Sequence, residues 1–127
     1  MYKLFLLSAL ALPVVAQTVC QPTPTYSPCE IVFELTEEEA AGNPYLNVEI
    51  VGEFRSPRYR TFRMPGFWDG GRRFVIRFSP VDPGEWAFRI SSNLPRFEGK
   101  QGTFQATPSE SPGFLRAANV HHWALVD

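Results

Sequence analysis

Three carboxylates in the middle of the chain, Asp69, Asp82 and Glu85, are the residues best suited to acid–base chemistry. Hydrolysis of a glycosidic bond needs two carboxyl groups that face each other across a cleft, about 5 Å apart when the configuration is retained. Asp69 and Asp82 stand beside glycine and proline, where a short acidic side chain caps the backbone of a turn. Glu85 opens a predicted strand on its exposed side. The sequence therefore predicts structural roles for all three and no catalytic residues.

Neither a metal site nor a nucleophile is indicated by the histidines and cysteines. His121 and His122 are adjacent, so on a strand their side chains would point to opposite faces. Cys20 and Cys29 are the only cysteines, and without a nearby histidine they do not complete a tetrahedral zinc shell. Neither a nucleophile elbow nor a phosphate-binding glycine loop occurs. The sequence predicts a chain that is not an enzyme and binds no metal or cofactor.

The two cysteines have two interpretations. An exported chain meets oxidising conditions in which Cys20 and Cys29 could pair, and closing so short a loop would stabilise the fold by about 2–3 kcal/mol. In the other interpretation, Cys29 is buried as a small apolar residue and Cys20 lies in a linker. Both remain open at this stage.

Exposed aromatic residues are the features most suited to ligand binding. Tyr45, Tyr59, Trp68 and Trp123 could stack on the apolar face of sugar rings, although a position beside a hairpin turn gives Trp68 a packing role as well. A net charge of -1 gives no basic surplus for nucleic acid or anionic lipid. The middle third also carries an arginine cluster that is either a solvated face or a polar docking surface for a neighbouring domain: Arg55, Arg58, Arg60, Arg63, Arg72 and Arg73.

The N-terminus reads as an export signal. Lys3 precedes an apolar run from Leu4 to Val15, and Val14 and Ala16 form a plausible cleavage site before Gln17. The run is shorter than the ~20 residues of a spanning helix. We expect residues 1–16 to be a signal peptide, 17–28 a Pro/Thr/Ser-rich linker and 29–127 one domain. The mature protein is then secreted or periplasmic and leaves the membrane after signal cleavage.

Short segments of alternating polarity separated by Gly, Pro and Asn predict the fold. Asp69-Gly70 predicts a hairpin, and Pro83-Gly84 predicts a type II turn and a second hairpin. Residues 37–41 are expected to form a solvated loop, because Gly42, Asn43 and Pro44 stop a helix at once. The pattern indicates an all-β, antiparallel immunoglobulin-like sandwich of seven or eight strands. The segments are 30–35, 48–54, 61–64, 73–78, 86–91, 102–106, 114–116 and 123–126.

One face of each strand carries large apolar residues. Because each large aromatic side chain can bury about 150–250 Å², one such core suffices for a domain of this size. The predicted inward set is Ile31, Phe33, Val48, Ile50, Phe54, Phe62, Phe74, Ile76, Phe78, Trp86, Phe88, Ile90 and Phe104.

A succession of short motifs resembles a known family. Phe67-Trp68-Asp69-Gly70 is followed by Arg77-Phe78-Ser79-Pro80 and then by Gly84-Glu85-Trp86, after Asn43-Pro44-Tyr45. The order is similar to that of domain of unknown function 5060, the N-terminal sandwich of proteins assigned as secreted glycoside hydrolases. The resemblance extends from about Glu30 to Asp127.

The resemblance implies a non-catalytic module that docks on a (β/α)8 glycoside-hydrolase barrel, in cis or as a neighbouring product, and supports it. It supplies no catalytic residue for this chain, and it gives structural roles to Phe67, Trp68, Asp69, Gly70, Arg77, Phe78, Pro80, Gly84 and Trp86. The barrel is absent from this sequence, so we expect a fragment truncated before it. The alternative is an independent carbohydrate-binding module that holds polysaccharide with its exposed aromatics.

Overall fold

Two β-sheets form the framework of the described part of the chain. The computed structural model describes residues 17–18, 22–117 and 125–126. The first sheet has the strand order β1-β3-β7-β6, the second β2-β9-β8-β4-β5, and β10 pairs with β11. The strands are β1 (Gln17–Thr18), β2 (Thr23–Pro24), β3 (Cys29–Glu34), β4 (Ile50–Arg55), β5 (Thr61–Pro65), β6 (Phe67–Trp68), β7 (Arg73–Phe78), β8 (Gly84–Ser92), β9 (Gln101–Thr107), β10 (Arg116–Ala117) and β11 (Leu125–Val126).

The all-β prediction is confirmed, with more strands than the seven or eight expected. The pairs are antiparallel except for β2 and β9, which run parallel. Several of the additional strands are only two residues long. Such short pairs carry too few residues for an alternating pattern to appear in the sequence.

The core lies between the two sheets. Phe33 of the first sheet and Phe54, Trp86 and Phe104 of the second are fully or almost fully buried. The rings of Phe54 and Phe78 stack across the interface with their centroids 4.2 Å apart. All the residues predicted to point inward are buried except Phe62, which is half-buried against the same cluster.

Six residues of the buried hydrophobic core in the described part were not in the predicted set: Cys29, Leu35, Val51, Val75, Phe97 and Ala106. Val51 and Val75 lie on the outward parity of their strands and are nonetheless buried. Phe97 lies in the turn after β8, and its ring meets that of Phe33 edge to face at 5.1 Å. Strand alternation does not reveal a residue that reaches the core from a turn.

The prediction of a loop at residues 37–41 is wrong. This segment is helix α1 (Glu37–Ala41), and a second short helix, α2 (Pro44–Asn47), follows. The Thr36 hydroxyl accepts a hydrogen bond from the backbone N–H of Glu39 at 3.2 Å and donates to the Glu39 carboxylate at 2.9 Å. This N-cap, together with the Arg96 ion pair to Glu39, stabilises a helix of little more than one turn.

One of the two predicted hairpins is confirmed. Strands β6 and β7 pair with Trp68 opposite Phe74, and Gly70 and Gly71 have positive φ angles of 90° and 54°. The second hairpin is wrong, because β7 and β8 belong to different sheets. Gly84 does have positive φ, 124°, but its turn carries the chain from one sheet to the other.

The domain begins earlier than predicted. Part of the expected linker 17–28 forms edge strands: β1 pairs with β3, and β2 pairs with β9. Thr23 and Thr25 are buried. The predicted signal peptide 1–16, and also His121, His122 and Trp123, lie outside the described residues. Neither helix of the described part is long and apolar enough to cross a membrane.

Candidate functional site

The Asp82 carboxylate is held by two arginines. Its side chain is 12% exposed and lies 3.0 Å from Nη2 of Arg60 and 3.8 Å from Nε of Arg58. The backbone carbonyl of Asp82 accepts a hydrogen bond from the indole N–H of Trp86 at 2.8 Å. The side-chain carboxylate and the backbone carbonyl of Asp82 therefore both fix the connection between the sheets.

The other two candidate carboxylates are also engaged. Oδ2 of Asp69 accepts a hydrogen bond from Nε of Arg73 at 2.9 Å, and the Glu85 carboxylate accepts one from Gln105 at 3.3 Å. Asp69 and Asp82 lie at opposite ends of β7, so these two cannot face each other. Within residues 17–18, 22–117 and 125–126, no three side chains of His, Cys, Asp or Glu are grouped to hold a metal ion.

Of the aromatics proposed for sugar stacking, the structure brings Tyr45 and Trp68 together. Tyr45, on α2, is 71% exposed, and its ring lies 5.1 Å from that of Trp68 at an interplanar angle of 83°. Tyr59 lies at the opposite end of β5, beneath the guanidinium of Arg55. Trp123 lies outside the described residues. The placed aromatics do not form a flat row that several sugar rings could share.

Most of the arginine cluster is neutralised within the domain. Besides the two arginines at Asp82, Arg63 approaches Glu49 at 4.0 Å and Arg72 pairs with Glu34 at 3.1 Å. Arg73 bridges Asp69 and Glu30. The surface of these strands is therefore a network of ion pairs, in which each exposed pair contributes at most about 1 kcal/mol.

The family motifs occupy turns and strand ends. The Trp68 indole N–H donates to the Gly71 carbonyl at 2.8 Å and closes the β6–β7 turn. Arg77 pairs with Glu30 at 2.6 Å and lies over the Phe67 ring. Pro80 is fully buried beside the core. The contacts of Trp68 and Arg77 therefore join neighbouring strands of the first sheet.

Sequence reasoning missed a surface groove. A depression of about 340 Å³ opens between the segment around Tyr26 and the C-terminal segment, and we call it the Tyr26–Phe114 groove. Tyr26 was assigned to the linker and Phe114 to a weak strand, so nothing in the local pattern linked them. The groove is lined by Tyr26, Arg60, Phe62, Val81, Pro112 and Phe114.

Two packed β-sheets define an all-β domain. The model of the domain of unknown function DUF5060 matches residues 22–93, and the chain belongs to this family. A search of curated proteins found no match.

A solved structure shows the same fold. The crystal structure of a "putative glycoside hydrolase" from Bacteroides vulgatus ATCC 8482 superposes with a TM-score of 0.71 at 25% sequence identity. The match covers 80% of this chain and 19% of that one. The chain thus spans about a fifth of the length of the Bacteroides protein.

Proposed function

We propose that this chain is the non-catalytic N-terminal module of a secreted glycoside hydrolase, an immunoglobulin-like sandwich that docks on and supports a (β/α)8 catalytic domain. The observation that carries the proposal is the unequal coverage: most of this chain matches a small part of a much longer protein that is described as a glycoside hydrolase. A module of this kind needs no catalytic groups of its own, in agreement with carboxylates that are bound to arginine or glutamine.

Docking is favoured over independent glycan binding by the aromatic geometry. Stacking of a polysaccharide needs ring faces that are open and nearly coplanar, whereas the rings of Tyr45 and Trp68 stand almost perpendicular. The described surface also carries two adjacent exposed apolar side chains, Phe114 and Leu115, and contiguous exposed apolar surface is typical of protein contacts.

The coding DNA beyond the codon for Asp127 tests the proposal. We expect the reading frame to continue, directly or after one frameshift, into alternating strands and helices with paired acidic residues. A genuine stop followed by no barrel-like sequence, within the gene or beside it, would remove the partner and contradict the proposal.

Activity assays complete the test. The isolated chain is expected to release no sugar from glycosides, and the longer protein is expected to do so. Hydrolysis by the isolated chain at the rate of the longer protein would contradict a non-catalytic role.

Secretion is part of the proposal and has its own test. Expression with the complete N-terminus in a bacterial host is expected to give an exported protein whose first residue is Gln17. An intracellular product that retains Met1 would contradict export.

A further inference from the structure

We propose that the Tyr26–Phe114 groove is the surface on which the downstream catalytic domain docks, and that this domain inserts an apolar side chain flanked by a carboxylate. The inference rests on the proposed function and names the contact surface. Four observations support it: a strained residue at the groove, a fixed wall, exposed apolar side chains and a cationic rim.

Tyr26 holds a backbone conformation that non-glycine residues rarely adopt. Its φ is 64°, a left-handed conformation that costs about 1–2 kcal/mol for a residue with a Cβ. The backbone N–H donates to the Pro80 carbonyl at 2.8 Å, and the ring meets Phe114 edge to face at 5.5 Å. Strained residues of this kind concentrate where a surface has a function.

The segment from Ser109 to Phe114 is hydrogen-bonded through Ser109 to Thr25, the residue next to Tyr26. The Ser109 hydroxyl donates to the Thr25 carbonyl at 2.7 Å and shares a second hydrogen bond with the Thr25 hydroxyl at 3.0 Å. Gly113 has positive φ, 89°, and a Cβ there would lie 3.0 Å from the Tyr26 ring. The groove is therefore present before any partner binds.

Apolar side chains at the groove remain open to water. Phe114 is 64% exposed and the adjacent Leu115 is 67% exposed. Phe62 and Val81 form a half-buried floor that continues into the core. Covering these side chains would release bound water at a favourable free energy of about 25 cal/mol per Å² of apolar area.

The rim of the groove carries excess positive charge. Arg60 lines the groove and is 57% exposed. It shares the single carboxylate of Asp82 with Arg58, which is 77% exposed and lies outside the lining. Two cations and one anion leave a net charge of about +1 beside the apolar floor. A carboxylate on the docking surface would complement this charge and orient the contact.

The downstream domain is the proposed partner of the groove because the chain runs past the groove on its way to that domain. Residues 113–115 pass the edge of the groove and lead into β10 (Arg116–Ala117). A domain attached by a short connection has an effective concentration on the order of millimolar at such a surface. The exposed pair Tyr45 and Leu46, by contrast, lies with α2 at the opposite end of the sandwich.

Thermal unfolding of the longer protein tests the groove. The midpoint for the sandwich is measured in the isolated chain and in the polypeptide encoded by the continued reading frame. Phe114→Asp introduces a buried charge at the proposed contact, and Arg58→Glu reverses the charge of a side chain that is 77% exposed. For each variant, the midpoint in the longer protein is compared with the midpoint of the same variant in the isolated chain, so that any stability lost at the Asp82 ion pair cancels. Leu46→Asp makes the same apolar-to-acidic change at the far end, at a residue that is 82% exposed.

The outcomes separate the inference from the function. We expect the sandwich to unfold at least about 5 °C higher in the longer protein, Phe114→Asp and Arg58→Glu to remove most of this rise, and Leu46→Asp to retain it. If the rise persists in both groove variants, or if Leu46→Asp abolishes it, the groove is not the docking surface. The sandwich would then still dock on the downstream domain, but through another surface. No rise in the unmodified protein would overturn the docking function itself.

Discussion

The indole N–H of Trp86 donates to the backbone carbonyl of Asp82 at 2.8 Å, four residues earlier in the chain. The bond joins the largest fully buried side chain of the core to the turn that carries the chain from one sheet to the other. In the same turn, the Asp82 carboxylate is paired with Arg60. Asp82 therefore connects the core to the rim of the Tyr26–Phe114 groove.

Trp86→Phe is expected to destabilise the domain by about 2–3 kcal/mol, because it leaves a buried carbonyl unpaired and a cavity beside Phe104. Trp68→Phe is the matched control. It also removes an indole hydrogen bond to a backbone carbonyl, that of Gly71, but at the surface, and is expected to cost less than about 1 kcal/mol. Chemical denaturation measures both. Equal losses would show that the core bond has no special role.

Gly102→Ala is expected to destabilise the fold by about 1–3 kcal/mol through overpacking. A Cβ at Gly102 would lie 2.5 Å from the Phe88 ring, whereas one at Gly42 meets its nearest atom at 3.5 Å. Gly42→Ala, the control, is therefore expected to be neutral or stabilising by up to about 1 kcal/mol. Urea titration measures the free energy of unfolding of both variants. A destabilised Gly42→Ala together with an unaffected Gly102→Ala would contradict the close contact between Gly102 and the Phe88 ring.

Arg96→Gln is expected to make stability less dependent on acid pH. The hydrogen bond from Arg96 is the main cause that lowers the pKa of Glu39. A carboxyl with a lowered folded-state pKa contributes stability above its unfolded value of about 4.3, and this contribution is lost as the pH falls through the folded pKa.

Because the Arg96 side chain is 40% exposed, solvent screening limits the pair to about 0.5–1 kcal/mol at neutral pH. The difference between the variant and the unmodified protein should shrink as the pH falls below about 4. Arg89→Gln changes an exposed arginine on β8 and serves as the control. A difference that stays constant from pH 7 to pH 3 would assign the effect of Arg96→Gln to its hydrogen bond with the Glu34 carbonyl.

Cys29 is disulfide-bonded in the structure, and we predict that its partner is Cys20, the other cysteine of the chain. Mass spectrometry of the unreduced, alkylated protein is expected to show one intramolecular bond and no free thiol. Replacing both cysteines by serine should cost about 2–3 kcal/mol, because the open chain gains entropy when unfolded. A monomer with two alkylated thiols would contradict the pairing.

The alternation of polar and apolar residues was sufficient to predict the strands and the core. Phe33, Ile76 and Trp86 were placed inward from parity alone, since a pleated backbone sends successive side chains to opposite faces whatever the partner strand is. The Asp69-Gly70 turn was predicted for a similarly local reason, because only certain residues accept positive φ. The prediction that Asp69 and Asp82 occupy turns likewise came from their local sequence context.

The tertiary structure decided which strands pair and which surfaces form. Strands β7 and β8 lie in different sheets although a turn joins them. The same Pro-Gly turn residues suit either a hairpin or a connection between sheets, so they do not decide the pairing. Helix α1 is stabilised in part by Arg96, which is distant in sequence and binds Glu39. The Tyr26–Phe114 groove likewise arises where two segments distant in sequence meet, and contacts between distant segments leave no periodic signal in either one.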